Sequence, residues 1–364
     1  MVSESKTKII TQQIRGEMAS KSQKPRVILE EYGIPNASEY SSLPVQGGWS
    51  LKNFKKVTTQ LKIDVVRQSS DERELEFDLI GCSAALANAL RRIMLSEVPS
   101  MAIEKVYILN NTSLIQDEVL AHRLGLLPLR ADPRLFEYPS NSGGDEEEVS
   151  DQDTLRYEMK VTCAWNPNAP KDSRRPDDIY RNNNVYSRDV KWSSIGRQSE
   201  IYPRGEEQLG VLESDILICK MRPGHEIHAF MHAVKGIGKD HAKFSPVATA
   251  TYRLLPDIQI VTPVKDDLAD LLKTCFSPGV IEVVEGKDGS REARVVSARY
   301  DSCSRNVFRH DSLKDCVQLG RIPDHFIFTV ESLGALPPNV LFMEAVKVLK
   351  GKCRSFLEEL DTIS

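Results

Sequence analysis

The amino-acid sequence predicts an α+β fold interrupted by a β-rich insert. Three patterns carry that expectation. Period-two strands flank a period-3.6 helix between about Leu61 and Asn110. Strand alternation resumes at Ile227, Ala229, Met231 and Ala233, after a stretch of different character. An amphipathic helix then closes the chain from Pro337 onward. At 364 residues the chain can form two or three compact units.

Residues 1–48 are polar and aperiodic, so a mobile tail is expected, with Trp49 as the first anchor. Leu61, Ile63 and Val65 alternate on one predicted strand, and Leu75, Phe77 and Leu79 on the next. Ser69-Ser70-Asp71 supplies turn chemistry between them. Ser83 is placed to cap a helix and Pro99 to end it. Leu86, Leu90, Ile93 and Met94 form its apolar stripe. Asn88, Arg91 and Leu95 lie on another face, and Arg92 follows Arg91 by about 100° around the axis. A strand over about 105–110 follows.

From Ser113 to Met221 the composition changes. The segment QDEVLAHRLGLLPLR reads as a second short helix. The acidic run NSGGDEEEVSDQD is expected to be a surface loop within 139–153. Leu155 to Cys163 reads as a strand. Beyond the insert, GIGKDHAKFSPV is a tight connection whose glycines are expected to supply positive φ. It leads to a strand from Ala248 to Leu254. A region over 263–317 carries glycines and three cysteines, and Phe326, Phe328 and Val330 alternate as a further strand.

In the final helix, Phe342, Val346, Leu349, Cys353, Phe356 and Leu360 recur at intervals of 4, 3, 4, 3 and 4, a heptad seam. Leu341, Ala345 and Val348 widen its apolar face. Such a face can lie between two layers of its own domain, or serve a sheet and a partner helix together. Composition alone slightly favours the first.

The net charge of −4 gives no global basic field, so any contact with nucleic acid must be local or through partners. No run approaches the roughly 20 apolar residues that span a bilayer. The N-terminus has no signal-peptide pattern. The seven cysteines are scattered, consistent with reduced thiols in cytosol or nucleus. Cys82 and Cys353 sit in apolar contexts and read as core filler.

Catalytic patterns fare poorly. His225-Glu226-Ile227-His228 misses the zinc-protease spacing and lies on a predicted strand. On that strand His228 and His232 share a face. Gly236-Ile237-Gly238-Lys239 lacks the phosphate-loop pattern. Cys275, Cys303 and Cys316 fit neither a cluster spacing nor a closed zinc site, and Cys303 with His310 lacks an orienting third group. Neither a metal nor another cofactor is expected. His241, Lys243, Phe244 and Pro246 are denser in special residues than a turn requires, which suggests contact with something. Arg91 and Arg92 read either as solvated helix charges or as anchors forming bidentate bonds across an interface.

Five motifs in fixed order carry a resemblance: NALRRIMLSEVP (88–99), NNTSLIQDEVLAHRLGLLPL (110–129), RPGHEI (222–227), GIGKDHAKFSPVATATYRLLP (236–256) and GRIPDHFIFTVESLGALPP (320–338). From Trp49 to Leu360 the chain resembles the α-like subunits of multisubunit DNA-dependent RNA polymerases. Within that group it resembles the larger α-like subunit shared by the eukaryotic polymerases I and III. The resemblance implies a dimerisation domain over about 56–112 and 222–364, with 263–317 as a degenerate linker region, and an insert domain over 113–221. It also implies a non-catalytic, nuclear and nucleolar scaffold, without direct sequence-specific DNA binding or a membrane partner. That scaffold would pair with the smaller α-like subunit and dock the two largest subunits, for synthesis of ribosomal RNA precursor, 5S rRNA and tRNA.

Candidate dimerisation residues are Leu86, Leu90, Ile93 and the seam Phe342, Val346, Leu349, Cys353, Phe356 and Leu360. Candidates for docking the large subunits are Asn88, Arg91, Arg92, His122, Arg123, His241, Lys243 and Phe244. The pattern departs from its relatives in three ways. The polymerase II relative's cysteine-clustered zinc site is reduced here to Cys163 and Cys219. The iron–sulfur site of some archaeal relatives is degenerate at Cys275, Cys303 and Cys316. The bacterial C-terminal DNA-binding domain has no counterpart, since four residues follow Leu360. The competing expectation from another class is a metal- or thiol-dependent hydrolase using His228, His232 and Cys303.

Overall fold

A computed structural model describes residues 26–37, 61–139, 149–170, 174–285 and 289–363. Trp49, most of the acidic run and most of the tail lie outside these residues. The chain divides into two compact units. The first draws on Met1–Asp64, Phe77–Ala87 and Tyr252–Phe328; the second draws on Val65–Glu76, Asn88–Thr251 and Thr329–Ser364.

The strands named here are β1 (Val27–Leu29), β2 (Lys62–Gln68), β3 (Glu74–Ile80), β4 (Pro99–Asn111), β5 (Thr154–Thr162), β6 (Val190–Ser193), β7 (Glu226–Ile237), β8 (Val247–Ile260) and β9 (Val317–Ser332). The helices are α1 (Ala84–Ser96), α2 (Asp117–Gly125), α3 (Asp267–Thr274) and α4 (Pro338–Ile363). Shorter turns and ribbons connect them.

One sheet has the order β1-β9-β3-β2, with β8 also paired to β9. Leu75, Phe77 and Leu79 are buried along β3, as their alternation predicts. Phe77 stacks on Phe328 with centroids 5.1 Å apart, and Tyr252 meets Phe326 edge-on at 5.2 Å. Within the first unit, the amphipathic α3 buries Ala269 and Leu272 beside Val264, Cys275, Val280 and Ile281. Asp78 is a buried charge of this unit: Arg299 donates to both its oxygens at 2.8 and 2.9 Å, and His325 Nε2 stands 2.8 Å away. Burying that carboxylate is tolerable because its oxygens meet donors.

The second unit is built on an antiparallel sheet of order β4-β7-β5-β6. Ile227, Ala229, Met231 and Ala233 of β7 are fully buried, as are Leu155, Tyr157 and Met159 of β5. Leu120 and Leu124 of α2 complete this core. Tyr157 is wholly enclosed and donates its hydroxyl to the Leu209 carbonyl, so its polar end is satisfied.

Several expectations need correction. Val27–Leu29, expected within a mobile tail, forms an edge strand on β9, and Arg26 beside it pairs with Asp257 at 2.6 Å. Cys353, expected in the core, is exposed because the last turns of α4 extend beyond the packed part of the helix. All seven residues of β2 are exposed, so the Ile63/Val65 alternation marks no buried face within this chain. Gly236 and Gly238 do not adopt positive φ. They are small because a Cβ would stand 2.7 Å from the Phe244 ring and 2.5 Å from the Leu95 carbonyl, respectively. Pro99 opens β4, three residues past the end of α1. Strands β8 and β9 both run further than their hydrophobic alternation suggests, through Pro256 and Pro323.

Candidate partner-docking surfaces

The two candidate surfaces are built on α1, α2, α4 and the 236–247 connection. Helix α1 starts where the Ser83 hydroxyl accepts from the Leu86 N–H at 3.3 Å. Leu90, Ile93 and Met94 of its stripe are buried, as is neighbouring Ala87, whereas Leu86 is 37% exposed. Leu90 and Ile93 therefore anchor the helix to its own chain, and Leu86 is the stripe residue that a partner can reach.

Helix α4 changes character along its length. Leu341, Phe342 and Ala345 are buried, and Leu349 is half-buried. Val346 and Met343 are exposed, and every residue from Gly351 to Thr362 is exposed. Phe356 at 70%, Leu357 at 62% and Leu360 at 53% are large apolar side chains open to solvent. Lys352 pairs with Glu97 at the end of α1, and Lys347 pairs with Glu344 at 2.7 Å. The heptad seam thus begins in the chain's own core and continues outside it. Contiguous exposed apolar stripes are a general feature of surfaces that meet a partner.

On α1 the Asn88 side-chain oxygen accepts from Arg91 Nε at 3.0 Å and Nη2 at 2.8 Å. This fixes one edge of the guanidinium and leaves its other donors to bind elsewhere. Arg92 is exposed. The 236–247 connection lies against the end of α1, where the Lys239 N–H donates to the Ser96 carbonyl at 2.7 Å.

The sequence-predicted residues of the connection divide into two groups. His241 is exposed, and its Nδ1 accepts from the Lys243 N–H at 3.1 Å, capping a single 3-10 turn. Lys243 turns inward, donating to the Ile103 carbonyl at 2.9 Å and pairing with Glu104. Phe244 is buried against Gly236, and its carbonyl accepts from the Ser100 hydroxyl at 2.7 Å. For these two residues the structure shows an internal, loop-shaping role. His122 and Arg123 are exposed on α2, Arg123 donating to the Leu217 carbonyl at 2.8 Å. A cleft of about 220 Å³, lined by Glu104, His122, Gly125, Leu126, His241 and Lys243, brings α2 and the connection together.

The two histidines of the competing hydrolase reading are engaged in other contacts. His228 pairs with Glu158 at 3.1 Å and His232 packs edge-on against Tyr107. Both belong to the second unit, whereas Cys303 belongs to the first. Among the described residues, no group of three or more His, Cys, Asp or Glu side chains could hold a metal ion. Burial pushes the thiols of Cys82 and Cys219 up to about 11, the opposite of an activated nucleophile.

Residues 76–353 match the RNA polymerase Rpb3/Rpb11 dimerisation domain. The chain is 52% identical over 344 residues to the human DNA-directed RNA polymerases I and III subunit RPAC1, covering 93% of this chain and 96% of that one. It is 47% identical over 311 residues to the RPAC1 subunit of Saccharomyces cerevisiae, covering 85% and 90%. More distant similarity reaches the Arabidopsis thaliana subunit 3 of polymerases II, IV and V, at 31% over 306 residues, 82% of this chain and 91% of that one. The chain belongs to the RNA polymerase Rpb3/Rpb11 dimerisation-domain family.

Proposed function

We propose that the chain is a non-catalytic assembly subunit of DNA-dependent RNA polymerases I and III. It pairs with a smaller α-like subunit, and the pair docks the two largest subunits, where the active site lies. It works in the nucleus, including the nucleolus, in the synthesis of ribosomal RNA precursor, 5S rRNA and tRNA. The observation that carries this reading is the near full-length similarity to subunits of that name, together with the family match over 76–353.

In this reading, Leu86, Val346, Leu349, Cys353, Phe356 and Leu360 meet the small partner, over a base set by Leu90, Ile93 and Phe342. Asn88, Arg91, Arg92, His122, Arg123 and His241 meet the large subunits, on a loop shaped by Lys243 and Phe244. The dimerisation domain spans about 56–112 and 222–364, with 263–317 as a degenerate ferredoxin-like or linker region within it, and 113–221 is the insert. The exposed apolar stripe of α4 supports the assignment of its outer turns to pairing. Co-expression with the small α-like subunit tests it. A stable one-to-one complex is expected. A monomer or a self-associated chain that ignores the small subunit contradicts it.

A further inference from the structure

The sheet of the second unit has one face in the core and one open. Alternation puts Arg156, Glu158 and Lys160 of β5 opposite the buried Leu155, Tyr157 and Met159, and His228, Phe230 and His232 opposite the buried Ile227, Ala229 and Met231. The register builds a grid on this open face. His232 lies between Lys105 and Arg156, Phe230 between Tyr107 and Glu158, and His228 between Asn110 and Lys160. On the far side, Glu158 is paired with Lys191 of β6.

The grid has an aromatic centre. Tyr107 is 45% exposed and its ring meets His232 at 4.9 Å, while His228 and Phe230 lie 5.3 Å apart. Lys105, Lys160 and Lys191 are exposed around it, with Arg156 half-buried. Arg156 is positioned by the Ser193 hydroxyl at 3.1 Å. Among the described residues, Glu158 is the carboxylate on the face, and Glu206 and Glu226 lie at its rim, on Lys191 and Asn110. Among the described residues the face carries more basic than acidic side chains, in a chain whose net charge is −4.

From this we propose that the open sheet face binds single-stranded RNA without sequence preference. A four-stranded antiparallel sheet that presents exposed Tyr107 and half-buried His228, Phe230 and His232 among cations resembles the platform on which sheet-type RNA-binding modules stack unpaired bases. Rings take base faces of any sequence, and the lysines and arginine at the corners take phosphates. An acidic protein segment would use the cations but leave the rings idle. RNA rather than single-stranded DNA is the occupant, since the proposal rests on the polymerase reading above and a polymerase releases single-stranded RNA.

The test uses the full-length chain co-purified with its small partner, and a fluorescent oligouridine of about 12 nucleotides, within the usual footprint of such platforms. Binding is read by anisotropy. Affinity is expected to fall roughly tenfold or more between about 50 and about 200 mM salt, as three or four neutralised phosphates require. Tyr107→Ala and Phe230→Ala should each weaken binding about tenfold, the range for a lost base stack. Phe230 is half-buried, so Lys160→Glu with Lys191→Glu provides a pair confined to exposed positions; it should also weaken binding at least tenfold. Lys273→Glu, exposed on α3, should leave affinity unchanged. Absence of binding overturns the proposal, as does equal affinity of all variants, tighter binding of oligodeoxythymidine, or better competition by polyglutamate. Because pairing with the small subunit is read separately, failure here is distinct from failure of the scaffold reading.

Discussion

Phe356→Ala separates the two roles that the last helix can play. Phe356 is 70% exposed in the chain, whereas Leu341 on the same helix is fully buried. Full burial of a phenylalanine side chain stabilises by about 1.5–3 kcal/mol, so burying the exposed seven-tenths in a partner is worth roughly 1–2 kcal/mol. Phe356→Ala should therefore weaken pairing with the small α-like subunit by about 5- to 30-fold. It should change the stability of the isolated chain by no more than about 0.5 kcal/mol, as for other exposed positions. Leu341→Ala should instead cost the isolated chain about 2–5 kcal/mol through the cavity it leaves. The assay pairs denaturant unfolding of the chain alone with calorimetric titration of the partner. If Phe356→Ala lowered the unfolding midpoint as Leu341→Ala does, and left pairing intact, the seam would be intramolecular and the argument would fail.

Further predictions address the rest of the molecule. Arg92→Glu should leave folding and small-subunit pairing intact while large subunits are lost from purified complexes; retention of those subunits removes Arg92 from the docking surface. Asp78→Ala should cost about 3 kcal/mol in denaturant unfolding, because it leaves Arg299 enclosed without its carboxylate; a cost below about 1 kcal/mol would show that the pair is not buried in solution. Gly236→Ala should destabilise by about 1–3 kcal/mol through overlap with the Phe244 ring, with partial recovery when combined with Phe244→Leu; no recovery would place the strain elsewhere. Cys82 and Cys219, raised to about 11, should resist iodoacetamide at about pH 8 while exposed Cys353 is alkylated. Since the folded thiols hold their protons above the unfolded value of about 8.5, their contribution to stability is full below that pH and is lost as pH rises toward about 11. Alkylation of Cys219 as fast as Cys353, or stability rising over that range, would contradict this burial.

What the sequence revealed follows from how long each pattern runs. The alternations at Leu75–Leu79 and Ile227–Ala233 name residues that are buried, whereas the equally long alternation at Leu61–Val65 lies on the exposed outer strand of its sheet, so period gives the strand but not whether its apolar face is covered within the chain. Val27–Leu29 is too short to display a period, and its strand exists because β9 offers an edge to pair with. Pro256 and Pro323 hid the continuation of β8 and β9, because proline normally argues against a strand interior. At the candidate surfaces, helical spacing identified the α4 seam, but only the fold shows that burial gives way to exposure along it. The density of special residues at 241–246 was legible; that Lys243 and Phe244 point inward was not. The room for Phe244 comes from Gly236 on β7, and glycine conveys a need for space no more plainly than a need for positive φ. The open face of the β4-β7-β5-β6 sheet needed the register, since no single strand displays its grid of rings and cations.

Above all, this chain is a shared scaffold within polymerases I and III. Affinity purification of the tagged full-length chain at gentle salt, followed by mass spectrometry, tests it most directly. One small α-like subunit is expected to be recovered together with the largest subunits of both polymerases. Recovery of the chain alone or as a homodimer would contradict it, and recovery with the large subunits of only one polymerase would contradict the sharing.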